Sequence, residues 1–329
     1  MFKNMNLTQL TVFREVMETG SISQTAKKLN RTQPAISLAL KNLEKSLGLM
    51  LFERKGRRLV PVPEAHYLLA ETTGILDRLA SISNTMEGLI KGHAGSLNIA
   101  TMPGPSAFLF PRFISQSVGE NPEIRITLST RSSPQIMELA GSQNIDFGFA
   151  DFEHSTGKEP QYSAELIQAD CFCALDRDHP LSSRQSLALS DLDRTPMGGL
   201  HPSHPFQRKI RQEFEIVAAE YNPTVTCQYF LPLIPFVSSG QCCSIVDPLT
   251  VATERELNFS NGKVVFLPFT KPLRYEYAIL EPNHRPPSQL ALQTKAGWKA
   301  EVLRMLDGVK ANPHSFWIDE AGTDHNRSL

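Results

Sequence analysis

Apolar residues near the start of the chain recur at the spacing of short helices. The first helical pattern runs from Leu10 to Met17 and can end at Gly20. The second carries Ala26 and Leu29 on its apolar side. Candidate N-terminal caps are polar residues at the start of each pattern: Asn6 or Thr8 for the first helix and Ser23 for the second.

A third helical pattern follows the second after a turn at Asn30-Arg31. Thr32-Gln33-Pro34 opens it, because a proline near the first helical position loses no hydrogen bond. Its apolar face is formed by Ile36, Leu40, Leu43 and Leu47, and Gly48 can end it. Two helices joined by so short a turn predict a helix-turn-helix, whose second helix can enter the major groove of DNA.

Two short strand patterns flank a basic turn after the third helix. They are Leu51-Phe52-Glu53-Arg54 and Leu59-Val60-Pro61-Val62, and Lys55-Gly56-Arg57-Arg58 lies between them. We expect a two-stranded wing whose arginine tip suits phosphates or a minor groove.

Residues 64–92 have the pattern of one long helix, since no proline follows Pro63. A heptad seam of about three repeats is formed by Leu68, Thr72, Ile75, Leu79, Ile82, Met86 and Leu89. The seam predicts either a coiled coil or a helix packed on its own domain. Gly92-His93-Ala94-Gly95-Ser96 has the composition of a hinge.

Strand and helix patterns alternate from residue 96, which favours parallel α/β units. Strands are predicted at 97–100, 124–130, 145–150, 171–175, 224–228, 243–246 and 275–280. Helices are predicted at 106–117, 134–141, 204–219, 231–239, from 248 onward, and at 289–306. The tail 311–329 is polar, and we expect it to be loose.

Charge is distributed unevenly along the chain. The whole chain of 329 residues has a formal net charge of −1, but residues 1–66 hold eleven Lys and Arg against five Glu and no Asp. These 66 residues, called the head below, therefore carry +6, and the remainder carries −7. A basic head on an acidic body predicts a polyanionic partner for the head alone, although a solvated charged face would look the same.

Several protein classes are disfavoured by composition. The hydrophobic fraction of 41% is enough for a core, which argues against disorder. The N-terminus lacks an apolar signal segment and the chain lacks a membrane-length apolar run, so a cytoplasmic location is expected. Five cysteines do not suggest a disulfide framework. We find no GxSxG, HExxH, P-loop or GxGxxG motif, and we expect no enzyme activity, cofactor or metal.

The segment from Phe13 to Arg58 resembles the winged helix-turn-helix of LysR-type transcriptional regulators. The likeness rests on Thr32-Gln33-Pro34-Ala35-Ile36-Ser37, on Leu43-Glu44 and Leu47-Gly48, and on Leu51-Phe52-Glu53-Arg54. The sequence departs from the family pattern at Leu38, where an arginine is usual, and at Val62 and His66. The DNA-binding residues that the resemblance implies are Ser23, Arg31, Thr32, Gln33, Pro34, Ser37, Lys41, Arg54, Arg57 and Arg58.

The resemblance implies a division of the chain into a winged head, a linker helix and a two-lobed α/β effector domain of periplasmic-binding-protein type. The expected boundaries are 1–63 for the DNA-binding domain, 64–93 for the linker, 96–170 plus 274–307 for lobe I, 171–273 for lobe II, and 308–329 for the tail. The linker would form a dimer through Leu68, Ile75, Leu79, Ile82, Met86 and Leu89, and two dimers would form a tetramer. Promoter DNA, a small effector and RNA polymerase are the partners that such a protein would have.

The effector is expected between the lobes, at strand C-termini and helix N-termini, where free N–H groups favour anions. The matching positions are Met102, Pro103, Gly104, Ser106, Arg131, Ser132, Ser133, His201, Ser203, Tyr229, Phe230 and Asp247. Arg131 can clamp a carboxylate, or it can be a solvated loop residue. Asp247 can pair with an effector amine or cap the helix after Pro248, and Ser106 and Ser133 are further candidate caps.

The stretch Ser244–Thr250, together with the segment Pro282–Pro287, resembles the branch of the family that senses opines or diaminopimelate-like amino acids. An amino-acid-like or carboxylate effector is therefore expected. The alternatives are a thiol-based redox sensor using Cys171, Cys173 or the Cys242-Cys243 pair, and a metabolite-binding protein or enzyme without DNA function. His201 and His204 form a candidate metal pair without a third ligand nearby.

Overall fold

The computed structural model of the chain describes residues 5–55, 58–91, 95–118, 124–152, 161–318 and 324–325. At 54, 55, 58, 84–91, 318, 324 and 325 it describes the backbone alone. The chain divides into two units, Met1–Ala94 and Gly95–Leu329, and each has its own hydrophobic core.

The first unit contains the three short helices and the wing that the sequence predicts. Asn6 caps the first helix in a capping box with Gln9, and Gly20 ends it in the left-handed conformation that glycine adopts without strain. Gly48 ends the third helix in the same way. The elements are α1 (Leu7–Thr19), α2 (Ile22–Lys28), α3 (Gln33–Leu47), β1 (Phe52–Lys55), β2 (Arg58–Pro61) and α4 (Pro63–Lys91).

The cap of α2 is Ser21 and not Ser23, so the predicted cap is wrong. The backbone of Ser21 is extended, with φ −148°, and its hydroxyl accepts a hydrogen bond from the Gln24 N–H. Because Gly20 reverses the chain immediately before, the helix can begin two residues earlier than the apolar pattern suggests. Ser23 lies inside α2 with an exposed side chain.

The wing is an antiparallel pair that α3 holds in place. β1 pairs with β2 from Phe52 opposite Pro61 to Lys55 opposite Arg58. Glu44 on α3 accepts hydrogen bonds from the backbone N–H groups of Leu51 (2.8 Å) and Phe52 (3.4 Å). The start of the wing is therefore tied to the last turn of the third helix.

The long helix α4 has two different faces. One face packs on the core of the first unit through the fully buried Ala65 and the partly buried Leu68, Leu69 and Leu76. On the heptad seam, Thr72 is 1% exposed, whereas Ile75 and Ile82 are 44% and 49% exposed. The seam predicted from the heptad pattern is therefore divided: Leu68 and Thr72 face inward, and Ile75 and Ile82 remain uncovered.

The second unit is built from two mixed sheets. Its elements are β3 (Gly95–Thr101), α5 (Pro103–Ala107), α6 (Leu109–Val118), β4 (Ile124–Thr130), α7 (Ser133–Gly141), β5 (Phe147–Asp151), β6 (Tyr162–Asp170), β7 (Phe172–Asp176), β8 (Pro196–Leu200), α8 (Pro205–Ile216), β9 (Asn222–Cys227), α9 (Ile234–Ser238), β10 (Cys243–Val246), α10 (Pro248–Leu257), β11 (Val264–Pro268), β12 (Arg274–Pro282), α11 (Gln289–Gly308), β13 (His314–Ile318) and β14 (Asp324–His325).

Strand order separates the two lobes. The sheet of lobe I has the order β14-β13-β6-β12-β5-β3-β4, and that of lobe II has the order β11-β7-β10-β8-β9. The chain passes from lobe I to lobe II between β6 and β7 and returns between β11 and β12. The expected parallel pairing is found for β3 with β4 and β5, and for β8 with β9 and β10, while the other strands pair antiparallel.

Aromatic side chains form the centre of lobe I. Trp298 of α11 is fully buried, with its ring centroid 4.3 Å from that of Phe110 and 5.3 Å from that of Phe149. Phe149 stacks in turn on Tyr277 of β12 at 5.6 Å. Aromatic contacts thus hold helix α11 against helix α6 and strand β5.

The structure differs from the sequence prediction at two further places. The helix expected at 106–117 is broken at Phe108, because Pro111 in the first turn of α6 cannot donate the hydrogen bond that a continuous helix needs. The tail is not wholly loose: β13 pairs with β6 from His314 to Ile318. Phe316 packs on the core there, and the exposed edge of β6 gains backbone hydrogen bonds.

Candidate functional site

The outward face of α3 is polar and basic around one exposed leucine, Leu38. Ile36, Leu40 and Leu43 are buried on the inner face, whereas Gln33 and Lys41 are exposed on the outer side. Thr32, the N-cap residue, makes no side-chain cap hydrogen bond, so its hydroxyl is not used by the helix. The remaining residues predicted on this surface are Ser23, Arg31 and Pro34, which are exposed, and Ser37, which is half-buried.

The predicted wing residues are only partly described. Arg54 and Arg58 lie on β1 and β2 by their backbones, and Arg57 lies outside the described residues. Within the dimerisation set, Leu79 is half-buried, and only the backbone is described for Met86 and Leu89. What the first unit brings together is therefore the N-terminal half of α3 with the turn before it.

A cavity of about 810 Å³ lies between the lobes of the second unit. Lobe I lines it with residues that follow the C-terminal ends of its parallel strands: Pro103 after β3, Arg131 to Gln135 after β4, and Asp151 and Phe152 at the end of β5. Lobe II contributes residues after β8 and β9: His201, Ser203, His204, Pro205, Phe206, Lys209 and Gln228. The returning strand β12 adds Arg274, Tyr275 and Glu276.

Asp151 is the centre of the polar network in this cavity. Its Oδ2 accepts a hydrogen bond from Ser133 Oγ at 3.1 Å and lies 3.2 Å from His204 Nε2. Its Oδ1 accepts a hydrogen bond from the Tyr275 hydroxyl. Burial and the Asp151 charge raise the pKa of Tyr275 well above its usual value, so this hydroxyl remains a donor.

His204 joins the two lobes at this network. Its Nδ1 accepts a hydrogen bond from the Phe206 N–H at 3.2 Å and so caps α8. With Nδ1 as an acceptor, Nε2 carries the ring proton and donates a hydrogen bond to Asp151 Oδ2 of lobe I. Both ring nitrogens are engaged, which leaves neither for a metal, and no cluster of metal-ligating residues occurs in the described part of the chain.

Cationic groups surround the same cavity. Arg131 is exposed, and its guanidinium donates to the Thr130 carbonyl at 2.8 Å. Lys209 Nζ donates to the Arg274 carbonyl at 2.8 Å, and Arg274 Nε lies 3.7 Å from a carboxylate oxygen of Asp170. The helices α7 and α8 both begin at the cavity, so their N-termini add partial positive charge from opposite lobes.

The structure brings together half of the predicted effector residues. Pro103, Arg131, Ser132, Ser133, His201 and Ser203 line the cavity. Six others do not line it: Met102 and Phe230 are buried in the core, Gly104, Ser106 and Tyr229 are half-buried elsewhere, and Asp247 is a buried helix cap. Phe230 lies behind the wall, with its ring centroid 5.7 Å from that of Phe206.

Two predicted caps are also corrected in this region. Met102 is the N-cap of α5, and Ser106 lies within that helix with its hydroxyl bonded to the Pro103 carbonyl. Ser132 caps α7 in a box with Gln135, which leaves the Ser133 hydroxyl to bind Asp151. A proline follows the cap in both places, Pro103 one position after Met102 and Pro134 two positions after Ser132, and each helix starts earlier than expected.

Sequence reasoning missed Asp151, His204 as a polar link, Lys209, Arg274 and Tyr275. Asp151 could have been found by the rule that selected Arg131, because it directly follows the buried strand predicted at 145–150. Arg274 and Tyr275 could not, since they begin a strand whose place in the sheet depends on antiparallel pairing with β5 and β6.

The thiols do not form a reactive site. Cys171, Cys173, Cys242 and Cys243 are buried, and Cys227 is partly buried. Burial raises the pKa of Cys242 to about 11 and that of Cys243 to about 12, and it raises the pKa of Cys171 and Cys173 well above the usual value. Thiolates are therefore strongly disfavoured at neutral pH, which argues against the redox alternative.

Fold and site together define a DNA-binding regulator with a separate ligand-binding unit. Residues 7–66 match the family described as bacterial regulatory helix-turn-helix protein, lysR family, and residues 91–296 match the LysR substrate binding domain. The chain therefore belongs to the LysR family of transcriptional regulators. Among the helices of the described residues, none is long and apolar enough to cross a membrane.

Individual relatives agree with this assignment. The chain is 28% identical to the regulatory protein NocR of Agrobacterium tumefaciens (strain T37) over 307 residues, which is 93% of this chain and 97% of that protein. It is 37% identical over 147 residues to the octopine catabolism/uptake operon regulatory protein OccR of Rhizobium meliloti, 45% of this chain and 49% of the relative. The fold matches full-length CbnR in complex with its target DNA, with a TM-score of 0.68, 20% identity, and coverage of 92% and 100%.

Proposed function

We propose that this regulator responds to an amino-acid-like effector that carries both a carboxylate and an amino group and binds in the cavity between the lobes. The observation that carries this proposal is that groups of both charges line one cavity: the carboxylates of Asp151 and Glu276, and the cations of Arg131, Lys209 and Arg274 beside two helix N-termini. Such a bipolar site matches a molecule with charges of both signs.

The carboxylate side of the effector would be held by Arg131 and Lys209. Neither side chain has a carboxylate partner among the described ion pairs, and both line the cavity. Arg131 donates only to a neighbouring carbonyl, so part of its guanidinium fork is available for a bidentate contact. The N-termini of α7 and α8 reinforce the attraction for an anion.

The amino side of the effector would be held by Asp151. A carboxylate offers about four acceptor positions, and three of those on Asp151 are taken by Ser133, Tyr275 and His204. One position remains for an ammonium group. The neighbours fix the orientation of the carboxylate before the effector arrives, which lowers the entropic cost of binding.

The relatives support the same chemical class. The name of OccR connects it with an operon for octopine, an amino-acid derivative, and the likeness covers nearly half of this chain. Closure of the lobes on the effector would bias the protein between two conformations and so change its action at the promoter.

A thermal-shift screen with amino acids, opines and simple dicarboxylates tests the effector class. We expect a stabilising ligand that contains both charged groups, and Arg131→Ala and Asp151→Asn are each expected to weaken it about 10- to 100-fold. Arg194→Ala is the matched control, since Arg194 pairs with Glu220 away from the cavity. Equal stabilisation by ligands that lack an amino group would contradict the role of Asp151.

We also propose that α3 reads DNA through Gln33 and Ser37, with Arg31, Lys41 and the wing residues on phosphates. Side chains of these types suit base edges and phosphates, and Arg31, Gln33 and Lys41 are exposed while Ser37 is half-buried. A dimer formed along α4 would place two such helices on one pseudo-palindromic site, and a tetramer would place four.

The variant Ser37→Ala/Lys41→Ala tests the recognition helix. It should weaken binding to the regulated promoter and lower the slope of log K against log salt by about one per lost phosphate contact. Lys263→Ala removes an exposed charge in the second unit and serves as control. Binding and salt slope that match the wild type would remove α3 from the DNA interface.

A further inference from the structure

An exposed leucine stands at the middle of the outward face of α3. Leu38 is 59% exposed, whereas Ile36, Leu40 and Leu43 on the same helix are at most 5% exposed. At 100° per residue, Leu38 lies almost opposite the centre of this buried face. It therefore makes no contribution to the core of the first unit.

The surroundings of Leu38 are charged and polar. Pro34 lies one turn before it and Lys41 one turn after it, and both are exposed. Lys45 continues the same face, and Arg31 lies in the turn that precedes the helix. An apolar side chain inside a basic surface has a complementary partner in DNA, where the phosphates are acidic but the floor of the major groove carries methyl groups.

We propose that Leu38 contacts the C5-methyl group of a thymine in the major groove and so specifies a T·A pair in each half-site. This inference rests on the proposal that α3 is the recognition helix. The thymine methyl is the one large apolar feature on that groove floor, and an aliphatic side chain buries it without needing a hydrogen-bond partner. Gln33 and Ser37 would read neighbouring bases by hydrogen bonds.

Substitution of thymine by deoxyuridine tests the contact, because it removes the methyl group and keeps the base pairing. Full-length protein first selects duplexes from a random-sequence library, and the tightest duplex is then resynthesised with deoxyuridine at one thymine at a time. For the wild type, one thymine per half-site should show a loss of affinity of about three- to fivefold, as expected for one buried methyl group. Leu38→Ala should bind more weakly and show no loss at that position.

A matched control variant and three possible outcomes distinguish failure of the Leu38 contact from failure of α3 as the recognition helix. Leu49→Ala removes another exposed leucine, 40% exposed and beyond the end of α3, and should keep the deoxyuridine pattern of the wild type. A pattern without a sensitive thymine, or one that Leu38→Ala leaves intact, overturns the role of Leu38 while the DNA-binding surface stands. Failure of the protein to select any duplex overturns the recognition helix itself and this inference with it.

Leu38 could instead meet a second protein chain, and sedimentation distinguishes that case. Under the proposal, Leu38→Ala keeps the oligomeric state of the wild type in analytical ultracentrifugation. A variant with an altered oligomeric state and an unchanged deoxyuridine pattern would place Leu38 in a protein interface and overturn the thymine contact.

Discussion

Two acidic residues, at the end of β5 in lobe I and directly after β10 in lobe II, have different environments and different roles. Asp151 is half-buried at the cavity, whereas Asp247 is 6% exposed and lies behind it. Each accepts a hydrogen bond from a tyrosine of β12, Asp151 from Tyr275 and Asp247 from Tyr277. Because these tyrosines are two residues apart, they lie on the same face of β12, and each can donate to one of the two carboxylates.

Asp247 is predicted to stabilise the fold as a cap rather than to bind the effector. It accepts hydrogen bonds from the N–H groups of Leu249 and Thr250 at 2.9 and 3.1 Å, and from the hydroxyl groups of Thr250 and Tyr277 at 2.6 Å each. Asp247→Ala should lower the free energy of unfolding by about 3 kcal/mol, since it removes the cap and leaves the buried Tyr277 hydroxyl without its acceptor. Chemical denaturation measures this loss.

The Asp247→Asn variant tests the raised pKa of Asp247 through the pH dependence of folding stability, for which the direction can be stated. Burial raises the pKa of Asp247 above its ordinary value of 3.8, so the folded state binds this proton more tightly than the unfolded state. The ionisation therefore costs stability as pH rises from 3.8 through the folded pKa. Asp247→Asn should gain stability relative to the wild type over that window, and a difference that is constant with pH would contradict the raised pKa.

The buried cysteines give a second residue-scale prediction. With a pKa of about 11 or higher, Cys242 and Cys243 carry roughly 0.1% thiolate or less at pH 8. Iodoacetamide should modify Cys227 first in the native protein and all five cysteines after unfolding, as mass spectrometry of digests would show. Rapid native labelling of Cys242 or Cys243 would return the redox alternative to consideration.

At the scale of the element, helix starts show how local and non-local effects compete. The apolar spacing gave α1, α2 and α3 correctly, but the start of α2 was misplaced because two serines, Ser21 and Ser23, satisfy the same pattern. The left-handed Gly20 decides between them, since it places Ser21 in the extended conformation that a cap requires.

Substitution of each serine separates capping from DNA contact. Ser21→Ala should cost about 0.5 to 1 kcal/mol of unfolding free energy, because it removes the hydrogen bond to the Gln24 N–H. Ser23→Ala should leave stability unchanged and weaken DNA binding, as its exposed position on α2 suits a phosphate contact. Denaturation curves and promoter binding of both variants check this pair, and a larger stability loss at Ser23 would reverse the assignment.

At the scale of the whole molecule, the exposed apolar residues of α4 predict that two copies of the chain associate along this helix. Ile75 and Ile82 are 44% and 49% exposed and two turns apart on one side of the helix, while Leu69 and Leu76 pack inward. One face of α4 therefore packs on its own domain, as one alternative from the heptad pattern held, and for the other face we predict the coiled coil. A second copy of the chain along the free face would bury this apolar surface.

The double variant Ile75→Asp/Ile82→Asp should weaken self-association by about 3 kcal/mol or more, because it places charges in an apolar interface. Sedimentation velocity measures the shift toward smaller species. Ile216→Asp alters an isoleucine of the second unit that is 70% exposed and should sediment as the wild type does. An unchanged oligomer in the α4 variant would remove this helix from the interface.

The sequence by itself determined the winged head, the long helix and the alternating elements of the body. These depend on spacing within a few residues of one another, such as the apolar face of α3 or the caps at Asn6 and Gly48. It also determined the separation of charge, +6 on the head and −7 elsewhere, and the family motif around Gln33 to Ser37.

Only the tertiary structure decided which residues share the cavity between the lobes and which faces of the described elements stay uncovered. Asp151, His204 and Tyr275 are up to 124 residues apart in the chain, and their contact depends on sheet order and on the approach of two lobes. The same holds for Asp247, which local pattern alone could not assign to a cap or to a ligand site. Local periodicity determines which helices and strands form. The cavity depends on pairing between strands far apart in the chain, and no short stretch of sequence determines that pairing.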